Sequence, residues 1–363
     1  MRVTGIETIP IALPFREEYV TARGRLTHRE IAIVRLHTDE GPTGLGEAVA
    51  LSLRGGSALA TIVDELEGTC GPALQGAELT ASEPGAEIAA LLARCEGVSA
   101  QTRAAVDLAL HDLAGKLTGA PVWELLGAER AAPVLCNGTL VAGDPNQVAT
   151  QAAELVGTGL RTLKLKAGTD ADVETVRAVR DQVGPEVQIR IDANGVWSVK
   201  RALTILSELE PVGLELVEQP TEQLEAMASV RDKAGIPVVA DESVASLEDA
   251  WLASGFGACD AATLKLAKVG GIGAALEIAA VLPAYLSSAL DGPIGIAAAA
   301  HLAQALPSSG FAASLAHGLA TSQLFAVEPA TSAAVLADGS LTPPPGPGFG
   351  VMLDDAAIES LRI

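Results

Sequence analysis

The sequence predicts an α/β fold, a (β/α)-type barrel carrying an α+β cap, and three observations predict it. The first third reads as an antiparallel meander followed by helices. From Pro133 onward short apolar strands alternate strictly with amphipathic helical stretches, and eight such strands can be counted. Strand–helix alternation at this length describes parallel strands joined by right-handed crossovers.

In chain order, residues 3–14 and 31–37 alternate polar and apolar side chains, as half-buried strands do. The second runs into Asp39-Glu40-Gly41-Pro42-Thr43-Gly44, a turn cluster leading to another strand. Helical periodicity follows over 58–67, 86–94 and 102–117, the last with Ala105, Leu108, Leu110 and Leu113 on its apolar side. Barrel strands are expected at 134–140, 162–167, 187–193, 214–219, 238–242, 262–267, 285–290 and 311–316, with helices such as 170–183, 199–209 and 273–282 between them. A doubly wound open sheet would carry a Gly-rich phosphate loop after its first strand. Leu140-Val141-Ala142-Gly143-Asp144-Pro145 is not one. The expected organisation is a cap over 1–130, a barrel over 131–327 and a tail over 328–363 that packs back on the cap.

Composition narrows the function. The 363 residues are 49% hydrophobic and 19% charged, and 24 Lys and Arg against 45 Asp and Glu leave a formal charge of −21. Such a chain repels phosphate backbones and anionic lipid, so neither nucleic acid nor membrane is expected as a partner. The mean hydropathy of +0.34 comes mostly from alanine. The Ala-rich run 294–306, broken by His301 and Gln304, is too short to span a bilayer. Residues 1–12 lack the apolar core of a signal peptide. Cys70, Cys95, Cys136 and Cys259 show no CxxC spacing, which suits buried thiols rather than zinc or disulfides. A cytoplasmic, soluble protein is expected.

Barrels put their chemistry at the C-terminal ends of their strands. Here those ends read Lys164-Leu165-Lys166, Arg190-Ile191-Asp192-Ala193-Asn194, Glu218-Gln219-Pro220, Asp241-Glu242-Ser243 and Lys265-Leu266. Successive steps from Lys166 to Asp192, Glu218, Asp241 and Lys265 are 26, 26, 23 and 24 residues, each one strand–helix unit. The five groups therefore converge on one mouth. Period-two alternation puts Lys164 with Lys166, and Arg190 with Asp192, on the inward face. A purely structural ring of ion pairs is the alternative, disfavoured because buried pairs stabilise weakly. Three carboxylates without His or Cys form a hard-oxygen set suited to Mg²⁺, with Mn²⁺ as a substitute, rather than zinc. Lysines on the second and sixth strands flank that site, where cationic surroundings and desolvation make a lysine a usable base. The chemistry this suits is proton abstraction α to a carboxylate, with the enediolate stabilised by the metal, so a small carboxylate substrate is the expected partner. A homo-oligomer is expected as well.

These motifs resemble the enolase superfamily, and more closely its muconate lactonizing subgroup. The resemblance runs from Val34-Arg35-Leu36-His37-Thr38-Asp39-Glu40-Gly41 and Gly44-Leu45-Gly46-Glu47-Ala48, through 105–116 and 121–127. It continues in the Lys-x-Lys, Asp-Ala-Asn-Gly-x-Trp, Glu-Gln-Pro, Ala-Asp-Glu-Ser and Lys-x-x-Lys-Val-Gly-Gly elements. It implies a modified (β/α)7β TIM-type barrel beneath an α+β capping domain formed by the N-terminal region and the C-terminal tail. It also implies Asp192, Glu218 and Asp241 as Mg²⁺ ligands, Lys166 as base, Lys164 as its modulator and Lys265 facing it across the substrate. Mandelate-racemase-like members use a late-strand His, whereas His301 and His317 fall in a helix and after the last expected strand.

Within the subgroup, Ser287-Ser288-Ala289-Leu290-Asp291 with Gly295, and the small-residue stretch 311–321, are most similar to the o-succinylbenzoate synthases of menaquinone biosynthesis, which are lyases. Dipeptide epimerases carry an Asp-x-Asp pair that holds an ammonium, and no acidic residue occurs between Asp291 and Glu328. N-acylamino acid racemases and muconate cycloisomerases share the same core and stay open as alternatives. Ser288, by family analogy, Arg190 and Asn194 are candidate substrate contacts. Arg190 serves equally well as the partner of a barrel carboxylate, and Asn194 better suits groups behind the ligands, as does Glu242. Lys268 is expected in a loop, solvated or loosely touching the substrate. Residues 15–28 are read as a loop closing over the site.

Overall fold

Ile9, Ile11 and Leu13, spaced two apart on the first strand, are all buried, the alternation of a strand with one face on a core. The computed structural model describes residues 1–21, 24–52, 55–141, 143–307 and 310–363. The cap is an antiparallel sheet of β1 (Val3–Thr21), β2 (Gly24–Thr38) and β3 (Gly44–Val49). Pairing of β1 with β2 continues past a register shift between Pro14 and Tyr19. The expected loop over 15–28 is thus mostly paired strand, with residues 22 and 23 outside the described residues. Stacking of Phe15 on Tyr19 at 5.5 Å and on Phe325 at 5.0 Å holds its arm against the barrel.

Helix α1 (Leu59–Glu65) continues through a π-turn, Leu66–Cys70, into α2 (Gly71–Leu74). Then come α3 (Pro84–Leu92), α4 (Ala100–Thr118) and α5 (Val122–Leu125). Ser99 caps α4 by accepting the Thr102 N–H, and Gly119, at φ 72°, ends it. Glycine at 46 lets α4 lie flat on β3, since a Cβ there would sit 2.0 Å from the Ala105 carbonyl oxygen.

After the short β4 (Val134–Leu135) the barrel strands are β5 (Asn137–Leu140), β6 (Thr162–Lys166), β7 (Gln188–Asp192), β8 (Leu216–Glu218), β9 (Val238–Ala240), β10 (Ala261–Leu264) and β11 (Ala284–Leu286). They pair side by side in chain order. Their crossovers are α6 (Pro145–Gly157), α7 (Asp172–Val183), α8 (Val199–Leu209), α9 (Leu224–Ala234), α10 (Leu247–Phe256), the short α11 (Leu266–Val269) with α12 (Ile272–Ala279), and α13 (Pro293–Ala303).

The eighth strand departs from expectation. Phe311–Ser314 is a 3₁₀ turn, and the ring is closed by two residues further on. His317 bridges Cys136 and Gly318 bridges Ser287, so each joins one edge of the sheet. Phe311 and Leu315 are four apart, a spacing that fits a helical turn as well as a strand. The turn instead packs Ala312 and Leu315 beside Leu216, Val239, Ala261 and Tyr285, plugging the barrel floor.

In the tail, β12 (Ala330–Ser332) pairs with β15 (Met352–Leu353), while β13 (Leu336–Ala337) and β14 (Ser340–Leu341) extend from β4. Helix α14 (Asp355–Leu361) returns the chain to the cap, where the Ile363 N–H donates to Pro10 O. Two buried acids clamp cap to barrel. Glu47 accepts the Gly292 N–H at 2.5 Å and the Ile294 N–H at 3.2 Å at the start of α13, and Asp107 accepts the Ile272 N–H at 2.6 Å at the start of α12. Burial, and then Asp291, push Glu47 up to about 8. All four cysteines are free and buried. Among the described residues no helix is long and apolar enough to cross a membrane.

Candidate active site

The parallel register aligns the ionisable strand ends. Lys166 is opposite Asp192, and Asp192 is opposite Glu218, while Asp241 directly follows β9. The three carboxylates are buried, and one oxygen from each lies within 4.8 Å of the others. Oxygens bound to one octahedral ion with bonds of about 2.1 Å are about 3.0 Å apart when cis and about 4.2 Å when trans. Separations within 4.8 Å are of that order, and an all-oxygen donor set is the kind Mg²⁺ takes. The triad fits a divalent metal.

Cations surround it. Lys164 Nζ lies 2.8 Å from Asp192 and 2.7 Å from Glu218 Oε1, and Lys166 Nζ is 2.6 Å from Asp192. Lys265 pairs with Asp241. In a ring of eight, β6 and β10 stand four places apart, so Lys166 and Lys265 approach from opposite sides. Burial works against the charge of Lys164, but Asp192 and Glu218 outweigh it and raise Lys164 well above its ordinary range. It therefore stays protonated. Burial opposes the ionised form of Asp192, and Lys164 and Lys166 override it and lower its pKa. At Glu218 burial wins, aided by the neighbouring acids, and the pKa rises.

The remaining expected groups fall as follows. Asn194, in the left-handed region at φ 47°, accepts from Lys166 at 3.1 Å and donates to exposed Glu242 at 3.0 Å, so it ties Lys166 to the rim. Arg190 is fully buried one layer down, paired with Glu215, donating to Ala316 O at 2.7 Å and lying 5.0 Å from the Tyr285 ring. These contacts give Arg190 the carboxylate-partner role below the mouth. Ser288 Oγ donates to Asp291 Oδ2 at 2.8 Å and accepts the Asp291 N–H at 2.8 Å, closing a turn after β11. Lys268 is part-buried and bound within the protein. It sits in α11, and its ammonium donates to Asp241 O and reaches Asp241 Oδ1 at 3.5 Å.

Two residues were missed. Gln219, at φ 39° and fully buried, accepts the Asp241 N–H at 2.9 Å and the Ser243 N–H at 3.2 Å, while its Nε2 donates to Thr221 O at 2.9 Å. Tyr285 donates its hydroxyl to Glu218 Oε2 at 2.9 Å. Inward alternation on β11 was the signal for Tyr285, and the Glu-Gln-Pro motif was the signal for Gln219.

Residues 5–127 match the mandelate racemase/muconate lactonizing enzyme N-terminal domain, and residues 147–357 match the enolase C-terminal domain-like family. The chain belongs to the enolase superfamily, in its muconate lactonizing enzyme subgroup. This superfamily member is 35% identical to the L-Ala-D/L-Glu epimerase of Clostridium acetobutylicum over 84% of its length and 86% of the epimerase. It is 33% identical to muconate cycloisomerase 1 of Rhodococcus opacus over 99% of its length and 98% of that enzyme. It superimposes on the dipeptide epimerase of Enterococcus faecalis, solved with Mg and the dipeptide L-Leu-L-Tyr, with a TM-score of 0.89. There the identity is 29%, covering 97% of this chain and 100% of the other. The chain is thus an enzyme of a superfamily branch whose relatives are epimerases and cycloisomerases.

Proposed function

We propose that this enzyme is an Mg²⁺-dependent carbon–oxygen lyase that dehydrates a cyclohexadiene carboxylate to o-succinylbenzoate, in menaquinone biosynthesis. The observation that carries the acid–base part is the buried Asp192–Glu218–Asp241 triad with Lys166 and Lys265 on opposite sides. Lys166 takes the α-proton, and the electron pair moves into the substrate carboxylate. The hydroxyl on the neighbouring carbon then leaves, with net loss of water. Lys265 holds positive charge against the opposite face of the enediolate. Lys164, kept protonated by Asp192 and Glu218, places a fixed positive charge beside Lys166. Bound to the triad, Mg²⁺ would supply charge stabilisation at the substrate carboxylate.

Dehydration is favoured over dipeptide epimerisation by the β11 side of the mouth. No acidic residue lies between Asp291 and Glu328, and Asp291 itself accepts from Ser288 Oγ and the Ala289 N–H, each at 2.8 Å. That wall therefore offers no free carboxylate to a substrate ammonium. Turnover of the synthase substrate by purified protein with Mg²⁺ or Mn²⁺ is the test, and no turnover with either metal overturns the lyase reading.

Racemisation of an N-acylated amino acid is the second reading, favoured by the two opposed lysines. Deuterium from D₂O would then enter the α-carbon of both enantiomers, which the lyase reading does not require.

A further inference from the structure

Glu218 is the one acid of the triad held by hydrogen bonds from two different walls of the barrel. Lys164, from β6, donates to Oε1 at 2.7 Å, and Tyr285, from β11, donates to Oε2 at 2.9 Å. Both donors are buried, and Tyr285 is 1% exposed. The phenol lies across the barrel floor with its ring among Leu216, Val239, Ala261 and Leu315 and beside the Arg190 guanidinium at 5.0 Å. A tyrosine wedged so deep has little choice of rotamer, and its hydroxyl is aimed at a single oxygen.

We propose that Tyr285 is a positioning residue for the metal centre, orienting the Glu218 carboxylate toward the ion it shares with Asp192 and Asp241. The inference rests on the metal-site reading given above. A buried carboxylate with one fixed oxygen can still swing about its last torsion, whereas two donors on opposite sides fix its plane. The second donor is also neutral. A lysine or arginine in its place would add a further positive charge beside a divalent cation, while a phenol fixes the ligand without that repulsion. Each carboxylate oxygen has lone pairs to spare, so accepting from Tyr285 leaves Oε2 able to bind metal.

Tyr285→Phe isolates the hydroxyl, because the ring keeps its packing. Mg²⁺ titrated calorimetrically into the chelator-stripped full-length protein should bind about tenfold more weakly to the variant, the usual scale for losing a group that orients a ligand. Activity lost at low Mg²⁺ should return at high Mg²⁺, which a packing defect would not produce. A dissociation constant within twofold of the parent overturns the inference. Absence of Mg²⁺ binding by the parent protein overturns the metal-site reading itself, and the inference with it.

A second measurement works without a variant at 285. The chain has two tyrosines, Tyr19 and Tyr285. In protein labelled with 3-fluorotyrosine, with Tyr19→Phe to assign the signals, the fluorine resonance of residue 285 should move in step with Mg²⁺ binding. A resonance that stays fixed while calorimetry shows saturation overturns the inference.

Discussion

Lys166 Nζ lies 2.6 Å from Asp192 Oδ2, so the candidate base is anchored by one of the acids that can bind the metal. Asn194 holds the same ammonium from the other side at 3.1 Å. The lysine is thus aimed before substrate arrives, and geometry of this kind precedes any tuning of its proton affinity.

Lys166→Ala should therefore lower proton abstraction by about a thousandfold or more while leaving all three carboxylates in place. Exchange of the substrate α-proton in D₂O, followed by NMR, measures the first effect, and Mg²⁺ calorimetry checks the second. Undiminished exchange would mean that another group takes the proton.

The two lysines of α11 and its N-cap should separate by experiment. Under the proposed mechanism, Lys265→Ala should cost several orders of magnitude in turnover at any Mg²⁺ concentration, because its charge would face the enediolate. Lys268 bonds Asp241 O and reaches Val244 O at 3.4 Å, so Lys268→Ala should loosen the turn after β9. The expected result is about a tenfold loss that high Mg²⁺ recovers. An inactive Lys268→Ala beside an active Lys265→Ala would reverse the two assignments.

Gln219 is the bracket between two strands that carry acids of the triad. Its Oε1 accepts two backbone N–H groups, from Asp241 and Ser243. Gln219→Ala leaves both without that acceptor, and the buried one, at Asp241, costs about 1–3 kcal/mol. Urea denaturation of chelator-stripped protein should show the loss. Equal midpoints for variant and parent would mean that water or a shifted loop replaces the amide.

Two histidines give the protein an acid limit. His301 Nδ1 accepts the Trp123 N–H at 3.1 Å, and His317 Nδ1 accepts the Leu286 N–H at 3.1 Å, so both are neutral in the fold. Burial lowers each to about 4, with Arg190 adding to the effect at His317. The unfolded chain takes these protons near pH 6.5 and the folded chain only near 4. Their stabilisation is thus complete above pH 6.5 and is lost as pH falls from there to about 4, by about 3 kcal/mol for each. NMR titration of the five histidines should show two that stay neutral at pH 5. Ordinary titration of all five would refute this.

The sequence by itself determined the class of fold, the strand ends that carry charge and the set of groups that meet. It did so because a parallel barrel repeats one strand–helix unit, so spacings of 23 to 26 residues between Lys166, Asp192, Glu218, Asp241 and Lys265 map directly onto neighbouring strands. Tertiary structure alone decided the rest. It placed Arg190 below the mouth, closed the ring with His317 and Gly318 instead of 311–316, and drew Lys268 onto Asp241. It also brought Tyr285 to Glu218 and Glu47 to α13, contacts between residues 67 and 245 positions apart. Local periodicity fixes which face a side chain takes, but the depth it reaches and the partner it meets are set by how the ring closes and where the cap lands.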